Sequence, residues 1–117
     1  MKNSPPASIR ILHLDWDIIF VDPSVAEQAE AFGWTDKVRQ KIFLQSNLKP
    51  RSLAETALHE VYHAIFSSCG ISNEVTEEAA CSMLSGPLLF VLDANPHFRK
   101  WLFELMAPED VDDSAYV

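Results

Sequence analysis

Three side chains that could do chemistry together are His59, Glu60 and His63, which stand in the order H-E-x-x-H. On a helix, positions four apart lie on one face, so both imidazoles can reach a single metal ion. Glu60 lies about 100° around the helix from His59, where it can contact a water on that ion but is badly placed to bind the ion itself. This spacing is typical of zinc-dependent hydrolysis, in which a third protein ligand comes from elsewhere and one position stays open for water.

The residues around this motif predict the helix that the chemistry requires. Ser52 and Glu55 fit a capping box, in which their side chains bond to the first free amides of a helix. Gly70 is a typical C-cap, so we expect the helix to run from about Leu53 to Cys69. Apolar residues recur every three or four positions and predict one buried face, formed by Leu53, Ala57, Leu58, Val61, Ala64 and Ile65.

The residues before the motif predict strands. Residues 1–7 read as a flexible leader, and the β-branched and aromatic residues from Ser8 to Val21 alternate as in one long strand or a bent pair. Residues 25–32 predict a short helix or an ordered loop, and residues 33–36 break the pattern. Residues 37–44 then read as a second strand, which could offer its edge to an extended peptide.

The residues after the motif predict two further helices. The second helix begins near Glu74, and Gly86-Pro87 should kink or interrupt it, because Pro87 lacks an amide hydrogen. The last helix runs from about Pro96 to Met106, with Asn95 as its cap and a buried face of Phe98, Trp101, Leu102 and Leu105.

This order of elements predicts an α+β fold. We expect an N-terminal antiparallel sheet of two to three strands, followed by the active-site helix, a second, ligand-bearing helix and a C-terminal helix. One domain should span residues 8–107 and be followed by an acidic tail at 108–117.

A third zinc ligand has five downstream candidates on sequence grounds. A short Gly-containing turn should pack the second helix beside the first, so a side chain one to two turns into it can face His59 and His63. Glu77 and Glu78 lie at that depth but point about 100° apart, so only one of them should face the metal. Glu78 shares a face with apolar residues and is preferred. The candidates are Glu74, Glu77, Glu78, Cys81 and His97.

Charge and hydropathy exclude several classes of function. The net charge of −8 and the absence of a basic stripe argue against nucleic-acid binding, and also against anionic membranes and acidic substrates. The longest apolar run is too short to span a bilayer, and the first residues lack the apolar core of a signal peptide. We therefore expect a cytoplasmic protein in which Cys69 and Cys81 are reduced thiols, although the sequence leaves open that they pair.

The run His59-Glu60-Val61-Tyr62-His63 with the later Thr76-Glu77-Glu78-Ala79-Ala80 resembles the gluzincin arrangement, H-E-x-x-H with a downstream Glu on the next helix. More specifically, residues 33–44, the motif helix and residues 88–96 resemble small phage and prophage metallopeptidases, minimal zincins related to the ImmA/IrrE group. The resemblance covers roughly residues 9–105, and only H-E-x-x-H is specific within it.

The resemblance implies a zinc metallopeptidase that acts on a protein or peptide substrate, in the bacterial host cytoplasm if a phage encodes it. It implies His59, His63 and Glu78 as Zn²⁺ ligands and Glu60 as the general base, which takes a proton from water and returns it to the leaving amine. The chain departs from the larger gluzincins in two respects. It lacks the extended domains with which they grip peptide, and no Tyr or His can be assigned as their oxyanion stabiliser.

Other interpretations of the same residues are open at this point. His59 and His63 could be ordinary surface histidines, and Glu77 and Glu78 could be helix N-terminal charges favoured by the dipole. A catalytically inactive zincin-like protein could bind zinc and act through protein–protein interaction. The motif could also be a coincidence in a metal-free helical domain.

Overall fold

The computed structural model describes residues 4–70 and 77–107, except for the side chains of residues 77, 78, 81 and 82. Within this part, the predicted α+β class is confirmed, with a four-stranded sheet and four helices. The elements, in chain order, are β1 (Ser8–Ile11), β2 (Leu14–Val21), α1 (Pro23–Ala29), β3 (Gly33–Asp36), β4 (Lys41–Gln45), α2 (Pro50–Cys69), α3 (Glu77–Ala94) and α4 (Pro96–Met106).

The sheet is mixed, in the order β1-β2-β4-β3. β1 pairs antiparallel with β2, and β3 pairs antiparallel with β4, but β2 and β4 run parallel, with Asp17 opposite Lys41. The predicted antiparallel sheet of two to three strands is therefore wrong. The chain passes through α1 and β3 before β4 returns beside β2, and such a crossover allows two strands to run in the same direction.

The region predicted as a second strand at residues 37–44 is divided between a turn and a strand. Residues 37–40 form a turn, in which the Asp36 carboxylate accepts the amides of Val38 at 3.1 Å and Arg39 at 3.0 Å. These bonds, together with the Arg39 guanidinium, hold the pKa of Asp36 below its ordinary value. Residues 33–36, predicted to break the pattern, instead form β3.

Helix α2 begins earlier than predicted. Pro50 occupies its first turn after Lys49 at the N-cap position, and no side chain bonds to the free amides there. The predicted capping box is wrong, because Pro50 already favours a helix start and leaves Ser52 inside the helix. The predicted C-cap is confirmed, since Gly70 ends α2 in the left-handed conformation at φ 68°.

The two later helices differ in how well the sequence predicted them. α3 continues through Pro87, so the residue does not interrupt it, and the predicted start near Glu74 lies outside the described residues. α4 spans Pro96–Met106 as predicted, and its apolar face is buried. No helix among the described residues has both the length and the apolar character needed to cross a bilayer.

The core lies between the inner face of the sheet and helices α2, α3 and α4. Its largest fully buried side chains include Trp16, Phe98 and Trp101. The indole of Trp16 donates to the Ser68 hydroxyl at 3.1 Å, which ties β2 to the last turn of α2. The sheet contributes Ile9, Ile11, Trp16, Ile18, Ile42 and Leu44, and α2 contributes Leu53, Ala54, Ala57, Val61, Ala64 and Ile65.

The outer edge of β1 is occupied by a side chain that acts like a neighbouring strand. The side-chain oxygen of Asn95 accepts a hydrogen bond from the main-chain N–H of Arg10 at 2.8 Å, and its side-chain nitrogen donates one to the Arg10 carbonyl at 2.9 Å. Its second amide hydrogen bonds to the Val91 carbonyl at 2.8 Å. Asn95 stands at the N-cap position of α4, as predicted, but its side chain does not cap the helix.

Candidate metal centre

Helix α2 has a buried face and an exposed face, and the H-E-x-x-H motif lies across both. His59 and His63 are exposed, whereas Glu60 is only 5% exposed among Ala57, Val61 and other core residues. Since the buried positions recur every three or four residues, the packing of α2 on the sheet fixes which way each motif residue points. The two imidazoles are therefore directed away from the core, and the carboxylate is directed towards the sheet.

The structure brings the imidazoles of His59 and His63 together on the exposed face. Their Nε2 atoms lie 3.2 Å apart, and their ring centroids lie 4.9 Å apart at an interplanar angle of 72°. At this distance the two nitrogens can share a proton if one ring donates and the other accepts. They can equally direct two lone pairs at one ion if both protons lie on Nδ1.

The spacing of these nitrogens fits tetrahedral zinc. Two nitrogens bound at about 2.0–2.1 Å on neighbouring corners of a tetrahedron lie roughly 3.3 Å apart. The 3.2 Å between the two Nε2 atoms agrees with this value without any change of rotamer. Neutral imidazole is also among the ligands that zinc prefers. His59 and His63 therefore form half of a possible zinc site.

Glu60 is held from the neighbouring strand. The Thr35 hydroxyl on β3 lies 2.7 Å from Glu60 Oε1 and 3.3 Å from the Glu60 main-chain carbonyl. The sequence interpretation did not identify Thr35, because it assigned no strand to residues 33–36. A signal was present for Glu60 itself, since it shares a helical face with Ala57 and Ala64 and a carboxylate there needs a polar partner.

A cleft of about 320 Å³ joins the motif to β3. Gly33 allows the strand to lie this close to α2: a Cβ atom there would lie 2.8 Å from the Phe43 carbonyl and 2.9 Å from the Thr56 methyl group. Any larger residue would push β3 away from the helix. The cleft is lined by Phe32, Gly33, Glu55, Thr56, His59 and Glu60.

Strand β3 is an outer strand of the sheet, with β4 as its one neighbour among the described strands. The Gln45 amide donates to the Phe32 carbonyl at 2.8 Å, so these two residues form a hydrogen-bonded pair. Hydrogen-bonded and non-bonded pairs alternate along an antiparallel ladder, so the peptide groups of Gly33 and Thr35 face away from β4. The edge predicted for residues 37–44 is wrong, because β4 lies inside the sheet.

The chemical interpretation of this cleft depends on its own residues. No protein-family model, curated protein or solved structure matches the chain. Two imidazoles, one carboxylate and a strand edge that no described strand covers therefore form the basis for a functional proposal.

The third-ligand prediction falls largely outside the described part of the chain. Glu77 and Glu78 lie in the first turn of α3, which packs against α2, but neither side chain is described. Glu74 and the Cys81 side chain also lie outside the described residues. The one remaining candidate, His97, bonds through Nε2 to the Ser4 carbonyl at 2.7 Å. Within residues 4–70 and the described side chains of 77–107, no three His, Cys, Asp or Glu residues form a metal-binding group.

Cys69, at the end of α2, is a free thiol. Burial raises the pKa of this thiol above its ordinary value, so the neutral form is favoured. A neutral, half-buried thiol behaves as a small apolar side chain rather than as a nucleophile or a metal ligand.

Proposed function

We propose that this chain is a zinc-dependent metallopeptidase of the zincin type, with a gluzincin-like ligand set. The observation that carries the proposal is the 3.2 Å separation of the His59 and His63 Nε2 atoms on the exposed face of α2. Beside them, Glu60 lines a cleft that is bordered by the free edge of β3. Resemblance to small phage metallopeptidases agrees with this assignment and adds the third ligand.

His59 and His63 would hold the ion through Nε2, and Glu78 is the proposed third ligand. Both Glu77 and Glu78 lie in the first turn of α3, which packs against α2. Glu78 is preferred because, in the sequence, it shares a helical face with apolar residues. When bound there, Zn²⁺ would act as a Lewis acid, which lowers the pKa of bound water towards neutral pH and polarises a carbonyl group.

Glu60 is the proposed general base. Glu60 lines the same cleft as His59, and the Thr35 hydroxyl bonds to one of its two carboxylate oxygens. In the proposed reaction, Glu60 takes a proton from the attacking water and later gives it to the leaving amine. One carboxylate can serve both steps because it returns unprotonated at the end of the cycle.

The free edge of β3 is the proposed docking site for substrate. An extended peptide can bond to the main chain of Gly33 and Thr35 as an additional strand. Main-chain bonds of this kind bind peptides of varied sequence, so a protein or peptide substrate fits the edge better than a small metabolite. The free thiol of Cys69 agrees with the cytoplasmic location proposed for the enzyme.

Metal content tests the ligand assignment. Protein purified without chelator should contain about one zinc per chain by elemental analysis, and His59→Ala and His63→Ala should lose it. His97→Ala is the matched control, since its imidazole bonds to the Ser4 carbonyl and should leave zinc bound. Glu78→Gln should weaken zinc binding while Glu77→Gln does not. A wild-type chain that binds no zinc from solution would overturn the proposal.

Glu60→Gln tests catalysis separately from zinc binding. The Gln side chain can still accept the Thr35 hydrogen bond but cannot take up a proton. Zinc content should stay unchanged, whereas cleavage of an unfolded protein such as casein should fall by about 100-fold or more. Full cleavage by Glu60→Gln would show that Glu60 is not the general base, and a zinc-loaded wild type that cleaves no peptide bond would rule out the hydrolase.

One observation favours a second candidate, an inactive zincin-like protein that acts by protein–protein interaction. Glu60 is buried and already bonded to Thr35, as a purely structural carboxylate would be. In this case zinc would bind to His59 and His63, but wild type and Glu60→Gln would show the same absence of cleavage.

A further inference from the structure

Thr35 has a hydroxyl that contacts the proposed general base directly. Its Oγ1 lies 2.7 Å from Glu60 Oε1, which is a typical distance for a hydroxyl that donates to a carboxylate. The hydroxyl carries one hydrogen, and the alternative acceptor, the Glu60 main-chain carbonyl, is farther away at 3.3 Å. The hydrogen bond to the side chain is therefore the stronger of the two.

No other described residue donates a hydrogen bond to this carboxylate, although Glu60 is only 5% exposed. A buried carboxylate with one fixed oxygen has few rotamers that keep its hydrogen bond. Loss of the hydroxyl would remove that restraint and leave the buried oxygen without a described partner.

The main chain of Thr35 contributes to the site in a second way. Its peptide groups face the free edge of β3, while its side chain faces α2. A peptide that adds to this edge would bond to the same residue whose hydroxyl holds Glu60. Thr35 would thus contact both the substrate peptide, through its main chain, and Glu60, through its hydroxyl. One residue would then fix the distance between the two.

We propose that Thr35 is a positioning residue, which aims the Glu60 carboxylate at the cleft from the strand that docks the substrate. The inference rests on the proposed function. It assigns to the hydroxyl a role in turnover, beyond its contribution to packing between β3 and α2. Thr35 itself takes no part in proton transfer.

Thr35→Val and Thr35→Ser form the matched test. Valine keeps the shape of the side chain and removes the hydroxyl, whereas serine keeps the hydroxyl. With the zinc-loaded protein and a fluorogenic peptide, Thr35→Val should lower kcat by about 10- to 100-fold, because a misplaced catalytic group has effects of this order. KM and zinc content should stay close to wild type, and Thr35→Ser should restore most of kcat.

A merely structural role gives a different result. In that case Thr35→Val would lower the melting temperature and leave kcat unchanged, which would overturn the inference while Glu60→Gln remained inactive. If the zinc-loaded wild type cleaved no peptide bond, the proposed function itself would be wrong, and the Glu60 position in the crystal structures below would still test the inference.

A crystal structure of zinc-free Thr35→Val supplies a measurement that does not depend on activity. The Glu60 side chain should leave its position beside β3 and adopt a second rotamer or become disordered. A Glu60 carboxylate that keeps its wild-type position without the hydroxyl would overturn the inference, whatever the kinetics.

Discussion

The two edges of the sheet differ in whether the outward-facing peptide groups have hydrogen-bond partners among the described residues. At β1, the side-chain amide of Asn95 bonds to both the N–H and the carbonyl of Arg10. At β3, the peptide groups of Gly33 and Thr35 face away from the sheet, and no described strand pairs with them. An unpaired edge is a site where another chain can add a strand. Among the described residues, this site is closed at β1 and open beside the H-E-x-x-H helix.

The same contrast extends to the residues behind each edge. Behind β1 lies the apolar core, whereas the inner side of β3 faces Glu60, the one buried charged residue among those described. If the proposed docking of a peptide is right, the β3 edge and not the β1 edge contacts another molecule. Four sets of substitutions test this comparison, in order of decreasing expected effect.

Gly33→Ala should disturb the open edge most strongly. The added methyl group would lie within 3 Å of the Phe43 carbonyl and the Thr56 side chain, so β3 must move away from β4 or α2. We expect a loss of about 1–3 kcal/mol in the free energy of unfolding, measured in urea. Gly86→Ala is the control, since no atom lies within 4 Å of its added methyl group and Ala favours a helix. A Gly33→Ala protein as stable as wild type would show that β3 and α2 are not closely packed.

Asn95→Ala should open the closed edge. It removes three hydrogen bonds, two to Arg10 and one to Val91, at a partly exposed site. We expect a loss of about 1–2 kcal/mol, together with a concentration-dependent increase in size by light scattering as β1 becomes available for pairing. Asn95→Asp keeps the acceptor and should show a smaller loss. If Asn95→Ala matched wild type in both size and stability, the Asn95 hydrogen bonds would not be what prevents pairing at the β1 edge.

Gln40→Gly and Leu12→Gly compare the turns that connect each edge strand to its inner neighbour. Both residues have positive φ, 55° for Gln40 and 57° for Leu12, where glycine is unstrained. Gln40→Gly should raise stability by about 0.5 kcal/mol, because relief of strain slightly exceeds the greater freedom of the unfolded chain. Leu12→Gly should lower it, since the Leu12 side chain packs against the core. Thermal unfolding of both variants measures the difference, and equal shifts would contradict it.

The pH dependence of stability should show the smallest effect. The pKa of Asp36 is lowered by hydrogen bonds from the Arg39 amide and side chain, and that of Asp22 by bonds from the Ser24 amide and hydroxyl. A carboxyl with a lowered pKa stabilises the fold above its unfolded value of about 3.9, and this contribution is lost as the pH falls through the folded value. Asp36→Asn should therefore flatten the fall in stability below about pH 4 in urea titrations. An unchanged slope in both Asp36→Asn and Asp22→Asn would contradict these shifts.

Local sequence patterns predicted the elements that bury one regular face. Helix α4 was predicted within its observed bounds, because Asn95-Pro96 marks the start and Phe98, Trp101, Leu102 and Leu105 recur at helical spacing. The C-terminal end of α2 followed from Gly70, whose left-handed conformation favours glycine. The spacing of His59 and His63 similarly predicted that their imidazoles would share a face.

Elements that depend on tertiary pairing were not predicted. Residues 33–36 contain Gly33 and Asp36, which suggest a turn, yet they form a strand because β4 supplies hydrogen bonds and α2 supplies a close neighbour. The contact between Thr35 and Glu60 depends on that strand and could not be predicted without it. Nor does any local pattern specify that β4 lies parallel to β2, since alternation is the same for both directions.

The parallel pairing of β2 with β4 has a consequence for how the domain assembles. The β1–β2 and β3–β4 hairpins each join residues that are close in sequence, but the contact between the two hairpins requires the whole α1 crossover to be in place. Contacts between distant residues slow folding, because the intervening chain must lose entropy before they form. The joining of the two hairpins is therefore the expected rate-limiting event, and the complete sheet behind the motif helix forms only with it.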